Sequence, residues 1–156
     1  AIEVDAIVRP AAVNGATLLG PSSQLLANGG PALVAVLHSG LALSLGCAVL
    51  TAGGALRCRY LIHVATVSDS NQQPSLDALK KATLAALKCA EDSRFRSLAF
   101  PNMGFHHDSG PRARAARAIV MILKGFDPVF LNRVLLVDPD VEMIKHYEAA
   151  IDALSD

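Results

Sequence analysis

The stretch Ser97–Arg117 constrains the fold more than any other part of the chain. A short apolar run, Leu98 to Phe100, is stopped by Pro101, which cannot donate to a sheet ladder. Asn102, Met103, Gly104, Phe105, His106, His107, Asp108 and Ser109 follow, a segment rich in the residues that turns favour. Pro111 then stands where a helix takes proline, in the first turn of an Ala/Arg-rich run that reaches Lys124. Strand, loop, helix is the order. In an open α/β sheet such a loop lies at the carboxyl end of its strand, where ligands sit. The helix start adds free N–H groups and a positive dipole end, which suit phosphate.

The remaining segments repeat this alternation. Ile2, Val4, Ala6, Ile7 and Val8 predict a buried strand ending at Pro10. Residues 11–30 are rich in Gly, Asn, Ser and Pro, with a short helix expected at Ser22–Ala27. Asn28-Gly29-Gly30-Pro31 is a break, and Pro31 opens a helix to about His38, a second Gly-containing loop that feeds a helix N-terminus. Two strands joined at Gly53-Gly54 are expected between Gly46 and Val67. Leu76, Leu79, Ala82, Leu84 and Leu87 give Pro74–Ala90 a helical stripe. In the helix after Pro111 the stripe is Ala113, Ala116, Ile119, Val120 and Leu123, with Arg112, Arg114 and Arg117 outward. Val134–Val137 is a further strand closed by Asp138-Pro139, and Asp140 caps a last helix with Ile144, Tyr147 and Ile151 inward. Strands that alternate with helices imply an α/β chain with a mostly parallel sheet covered on both faces.

Composition narrows the function. A hydrophobic share of 52% against 18% charged residues excludes a disordered chain, and 156 residues suit one domain spanning 1–156. The net charge of zero counts against nucleic acid as a partner, because phosphate contacts call for a basic surface. Cys47, Cys58 and Cys89 are odd in number and lack metal-type spacing, so they read as reduced, buried thiols of an intracellular protein, nuclear or cytoplasmic. No apolar run reaches the roughly 20 residues a membrane helix needs, so no membrane is expected. The chain starts at Ala1 without Met or a signal-like segment, as an excised piece of a longer protein would.

Several strings together resemble a macro domain, and their spacing is closest to the histone-variant type. Val4-Asp5-Ala6-Ile7-Val8 is similar to the strand that precedes the family's Asn-containing loop. Gly29-Gly30-Pro31-Ala32-Leu33 sits like the Gly-rich loop and helix start that hold phosphate. Gly46-Cys47-Ala48, Thr51, Gly53, Leu56 and Ile62-His63 resemble the central hairpin, and Ser97–Pro101 with Gly104 resembles the strand that enters the second phosphate loop. The resemblance implies a three-layer α/β/α sandwich with a mixed, mostly parallel sheet, whose first strand material would precede Ala1. It also implies binding of ADP-ribose, with hydrolysis of ADP-ribosyl bonds in some branches.

The ligand positions follow the family less closely. Arg9-Pro10-Ala11-Ala12 occupies the loop where the family supplies Asn side chains, and Asn14 replaces that Asn only in another register. Ala12 cannot orient a water, so hydrolysis by the usual route is not expected. Arg9 has two readings, a bidentate phosphate contact or a plug of the cleft. In the second loop Gly104 remains among the bulky Phe105, His106 and His107 and the anionic Asp108. The histidines read as plain loop residues or as phosphate contacts, while adjacent His side chains diverge and no further ligand completes a metal site. His63, on a strand, reads as a structural, hydrogen-bonded histidine. Val137, before Asp138, stands where the family places an aromatic over adenine.

The expected ligand set is therefore Arg9, Ala12, Asn14, Gly29, Gly30, Pro31, Ala32, Asn102, Met103, Gly104, Phe105, His106, His107, Val137 and Asp138, with no catalytic residue, no metal and no cofactor. The Gly29-Gly30 and Pro101–Gly110 loops are expected to converge on one cleft. The reading is a non-catalytic domain that recognises ADP-ribose, an ADP-ribosylated protein or a related nucleotide, weakly. The alternative is a degenerate interaction module that meets a protein partner, or itself, at an exposed sheet edge.

Overall fold

The computed structural model describes residues 3–13, 27–38, 43–69, 73–103 and 109–155. Among these, five strands and four helices are β1 (Val4–Ala12), α1 (Gly30–His38), β2 (Ala48–Ala52), β3 (Cys58–Val67), α2 (Leu76–Asp92), β4 (Ser97–Phe100), α3 (Ser109–Gly125), β5 (Arg133–Leu136) and α4 (Val141–Ala153). The sheet order is β2-β3-β1-β4-β5. Only β2 runs antiparallel to its neighbour, β3; β1, β3, β4 and β5 are parallel.

Alternating side chains sort the sheet into two faces. Ala6, Val8, Ile62, Val64, Leu98 and Phe100 join the main core under α2, α3 and α4. Leu61 and Ala99 turn to the other face and, with Val4 and Cys58 at the strand starts, form a second cluster with Leu33 of α1. This is the expected layering, with three helices on one face and α1 on the other. Helix stripes shift slightly from the sequence reading. In α2 the buried set is Leu79, Ala82, Thr83, Ala86, Leu87 and Ala90, while Leu76 is exposed. In α3 Ala115 and Ala118 are buried and Ala113 is exposed. In α4 Met143 and Ala150 face inward, whereas Ile151 is 41% exposed.

Pro10 does not end the first strand. β1 pairs with β4 only at Ala6–Leu98 and Ile7–Ala99, and runs on beside β3 as far as Ala12. Among the described residues β4 pairs with β1 no further than Ile7, so no ladder bond to β4 is asked of Pro10 and proline is tolerated there. Arg9 to Ala12 therefore lie in a strand and not in the loop where the sequence placed them. The short β1–β4 pairing is reinforced by Asp5. Its Oδ2 accepts the N–H groups of Arg96 (2.8 Å) and Ser97 (3.1 Å), and its own N–H donates to Ser97 Oγ at 2.9 Å.

Cys58 is buried and Cys89 half-buried, and burial raises both thiol pKa values. Cys47 is exposed, contrary to the expectation of three buried thiols. It lies on the short approach to the outer strand β2, where its neighbours leave the side chain uncovered.

Candidate functional site

The strand ends decide where a site can form. α3 starts at Ser109, shortly after β4 leaves the sheet at Phe100–Pro101, so its N-terminus stands at the carboxyl end of the parallel strands. Beside it, β5 exits through Val137 and Asp138; Val137 donates its N–H to Phe100 O at 2.9 Å. β1 exits at Ala12 and Val13, where Val13 N–H bonds Val67 O (3.1 Å) and Val13 O accepts from Leu43 N–H (2.9 Å). The ends of β1, β3, β4 and β5 and the start of α3 thus frame one end of the sheet.

That frame is braced by the last helix. Asp140 caps α4, its Oδ1 accepting from Glu142 N–H at 2.9 Å, while its Oδ2 takes an Nη1–H bond from the largely buried Arg112 of α3. The Asp140 N–H donates to Asp138 Oδ1 at 2.8 Å. The Glu142 amide first, and then the Arg112 guanidinium, hold the Asp140 carboxyl below its ordinary range. Tyr147, buried in α4, donates its hydroxyl to Pro101 O at 3.4 Å, and burial raises its pKa.

Gly29–Ala32 stand at the other end. Gly29 O accepts from Ala55 N–H at 2.9 Å, in the turn that leads into Cys58 at the start of β3. Cys58 lies beside Val4, the start of β1. The nine residues of β1, at ~3.3 Å each, separate this turn from the carboxyl end by roughly 26 Å. The expected convergence of the Gly29-Gly30 and Pro101–Gly110 loops is therefore not what the structure places; α1 runs from the amino end of the sheet toward the carboxyl end. The Gly pair has a packing cause. A Cβ on Gly29 would meet Leu33 Cδ2 at 2.2 Å, and Gly30 has φ +77°.

The other expected residues divide in three. Ala12 is fully buried, and Val137 and Asp138 lie half-buried at the carboxyl end. Met103 is fully buried in the main core and Asn102 is 4% exposed, so these two are interior residues where an open loop was expected. Asn14, Gly104, Phe105, His106 and His107 lie outside the described residues. Among the described residues no group of three His, Cys, Asp or Glu could hold a metal, and no helix is long and apolar enough to cross a membrane.

Arg9 is fully buried and reaches sideways to the neighbouring strand. Its Nη1 lies 3.1 Å from His63 Nδ1, and His63 Nε2 lies 2.6 Å from Thr51 Oγ1. Arginine only donates, so Nδ1 accepts and Nε2 carries the proton. Burial first, then the Arg9 charge, lower the His63 pKa to about 3; burial lowers Arg9 only to about 10, which leaves it cationic. This chain across β1, β3 and β2 bears out the structural reading of His63.

The profile of the Macro domain family matches residues 12–119. The chain is a macro domain. A protein of Aquifex aeolicus is 33% identical over 150 residues, covering 96% of this chain and 91% of its own. A macro histone of Capsaspora owczarzaki is 27% identical over 108 residues, 67% of this chain and 29% of that one. Among solved structures, an Oceanobacillus iheyensis macrodomain mutant with ADPR superposes with a TM-score of 0.80 at 20% identity, covering 97% of this chain and 86% of that one. The macro fold accounts for the mixed sheet and the strand order. In sequence, Gly20-Pro21-Ser22, outside the described residues, carries the same Gly and Pro helix-start signature as Gly29–Pro31.

Proposed function

We propose that this macro domain is a non-catalytic reader of ADP-ribose, or of a nucleotide like it, and binds it weakly at the carboxyl end of the sheet. The observation that carries the reading is the start of α3 beside the exits of β4 and β5, an anion seat at the place where α/β sheets take ligands. The Oceanobacillus iheyensis macrodomain with ADPR, similar in fold, supports the choice of ligand. Gly29–Pro31, held at the amino end by the Ala55 bond, supply no second anion seat here.

Weakness follows from the groups in place. A helix start favours an anion by roughly 0.3–1 kcal/mol, while each missing hydrogen bond to a polar ligand group costs about 0.5–1.5 kcal/mol. Ala12 offers a buried methyl where the family has an amide, and Val137 lacks the ring face that makes stacking worth about 1–3 kcal/mol per base. Arg9 is engaged with His63, so no side chain described on β1 orients a water. A single-turnover assay on a mono-ADP-ribosylated protein is expected to release no ADP-ribose. Release that Asn14→Ala abolishes would make the domain a hydrolase.

A second reading, a protein-interaction module that has lost nucleotide binding, is favoured by the outer edge of β5. Its half-buried Val134, Leu135 and Leu136 have no further strand beside them among the described residues. Calorimetry separates the two readings, since only the first gives heat with ADP-ribose.

A further inference from the structure

From Pro10 to Leu56 the chain holds no Asp, Glu, Lys or Arg, so all of its 14 acidic and 14 basic residues fall outside that span. Within the span lies β2, the outermost strand on the side of the sheet away from β5. Gly53 donates its N–H to Arg59 O at 2.9 Å, which continues the antiparallel β2–β3 ladder. The two-residue alternation then turns Val49 and Thr51 toward β3, while Ala48, Leu50 and Ala52 turn their N–H and C=O groups outward. The strand has no proline, no charge and no bulge against β3, the devices that usually protect an edge. Leu50 is 38% exposed, Leu45 on the approach to the strand is 48% exposed, and Cys47 is exposed as well. Among the described residues no strand lies beyond β2. The chain enters β1 toward the opposite side, where Arg133 of β5 donates to Glu3 O at 2.6 Å.

Outward main-chain groups call for an extended strand, because a helix satisfies its own backbone and would leave these bare. The uncharged edge selects which strand. A partner strand bearing Asp, Glu, Lys or Arg would bury them where β2 offers no counter-charge, an uncompensated desolvation. β2 itself is uncharged, and its order Ala48-Val49-Leu50-Thr51-Ala52 is nearly the same in either direction, since Val and Thr share one shape. Laid antiparallel on a copy of itself about Leu50, it sets Ala on Ala, Val on Thr and Leu on Leu. The small Ala side chains flank the central pair on the same face and leave room for two leucines side by side. Lys81, which packs over Gly46 on the approach to β2, is paired with Asp77 at 3.1 Å. The chain's net charge of zero raises no long-range repulsion between copies.

We propose that two copies of this chain pair β2 with β2 in antiparallel register about a two-fold axis at Leu50, so that one sheet runs through both. The two Leu50 residues then exchange main-chain hydrogen bonds, as do Ala48 of each copy and Ala52 of the other, while Val49 faces Thr51 as the closer, non-hydrogen-bonded pair. The inference goes beyond the nucleotide reading and is independent of it. A dimer without ADP-ribose binding, or the reverse, tells the two apart.

Sedimentation of the full 156-residue chain from low micromolar to near millimolar concentration should show a reversible monomer–dimer equilibrium. Leu50→Lys sets two like charges face to face at the axis, so it should abolish the dimer while the monomer keeps its thermal transition. Leu50→Cys, in a Cys47→Ser background, should oxidise to a covalent dimer much faster than Ala52→Cys. The two positions 50 lie about 5.5 Å apart in this register, within disulfide reach, whereas the two positions 52 lie roughly 14 Å apart. Were Leu50→Lys to misfold, the comparison of the two cysteine variants still decides. A strict monomer at every concentration, a dimer indifferent to Leu50→Lys, or faster oxidation at position 52 would overturn the proposal. So would a heterologous strand or partner protein occupying the edge while copies of this chain do not.

Discussion

Because Arg9 can only donate, His63 is held as the Nε2–H tautomer between Arg9 and Thr51, and any proton added to it would sit buried beside a guanidinium. The consequence is a pH dependence with a definite sign. The folded pKa, about 3, lies below the ordinary 6.5, so the unfolded chain binds more protons between those values and stability falls as pH falls through that window. The slope should approach ~1.4 kcal/mol per pH unit below about pH 6.5. Asp5 and Asp140, whose folded pKa values are also lowered, lose their contribution only as pH drops through the carboxylate range. Glu91 and Glu142, also lowered, begin to contribute as pH nears the ordinary glutamate range, so urea denaturation should be confined to neutral pH down to pH ~5.5, where His63→Gln should flatten the slope. An unchanged slope in that variant would mean the proton is taken up elsewhere. Gly29 gives a second prediction at this scale. Gly29→Ala drives a methyl into Leu33, itself 1% exposed, and should destabilise the fold by about 1–3 kcal/mol. If Gly29 instead held phosphate, the substitution would weaken ADP-ribose binding in protein that remains folded; no such loss is expected.

The elements show which signals travel from sequence to structure. α2 begins where Ser75 precedes a helical apolar stripe, and the Ser75 Oγ accepts Ala78 N–H at 3.1 Å. Ser75→Ala should cost about 0.5–2 kcal/mol, read by denaturant unfolding, with faster amide exchange confined to the first turn of α2. Uniform loss of protection across the sheet would contradict that local role. Caps, proline starts and apolar periods were legible because each acts within a few residues. Hence Pro31, Pro111 and Asp140 locate three helix starts to within two residues. Which end of the sheet a helix start reaches is a different kind of fact. Gly29-Gly30-Pro31 and the Pro111 start look alike locally, yet the Ala55–Gly29 bond fixes the first at the amino end and the β4 connection fixes the second at the carboxyl end. Pro10 failed as a stop signal for a related reason, since its tolerance depends on where β4 ceases to pair with β1. The Asn and Gly neighbours of Met103 predict a loop residue, whereas its burial follows from the packing of α4 over β4.

At the scale of the whole molecule, the parallel strands give the domain two unlike ends. The amino end is closed by packing, with Gly29 against the β2–β3 turn and Asp5 clamping Arg96 and Ser97. The carboxyl end gathers the exits of four strands and one helix start, braced by Arg112, Asp140 and Tyr147. One end of the domain is thus closed by packing and the other presents the strand exits, the place where α/β sheets take ligands. The most direct test is titration of ADP-ribose into isotopically labelled protein, followed by amide chemical shifts. The account predicts a weak, near-millimolar isotherm with movement at Val13, Gly110, Val137 and Asp138 and none at Gly29, Gly30 or Ala55. Movement centred on Gly29-Gly30, or low-micromolar binding lost in Gly30→Glu while the fold persists, would contradict it.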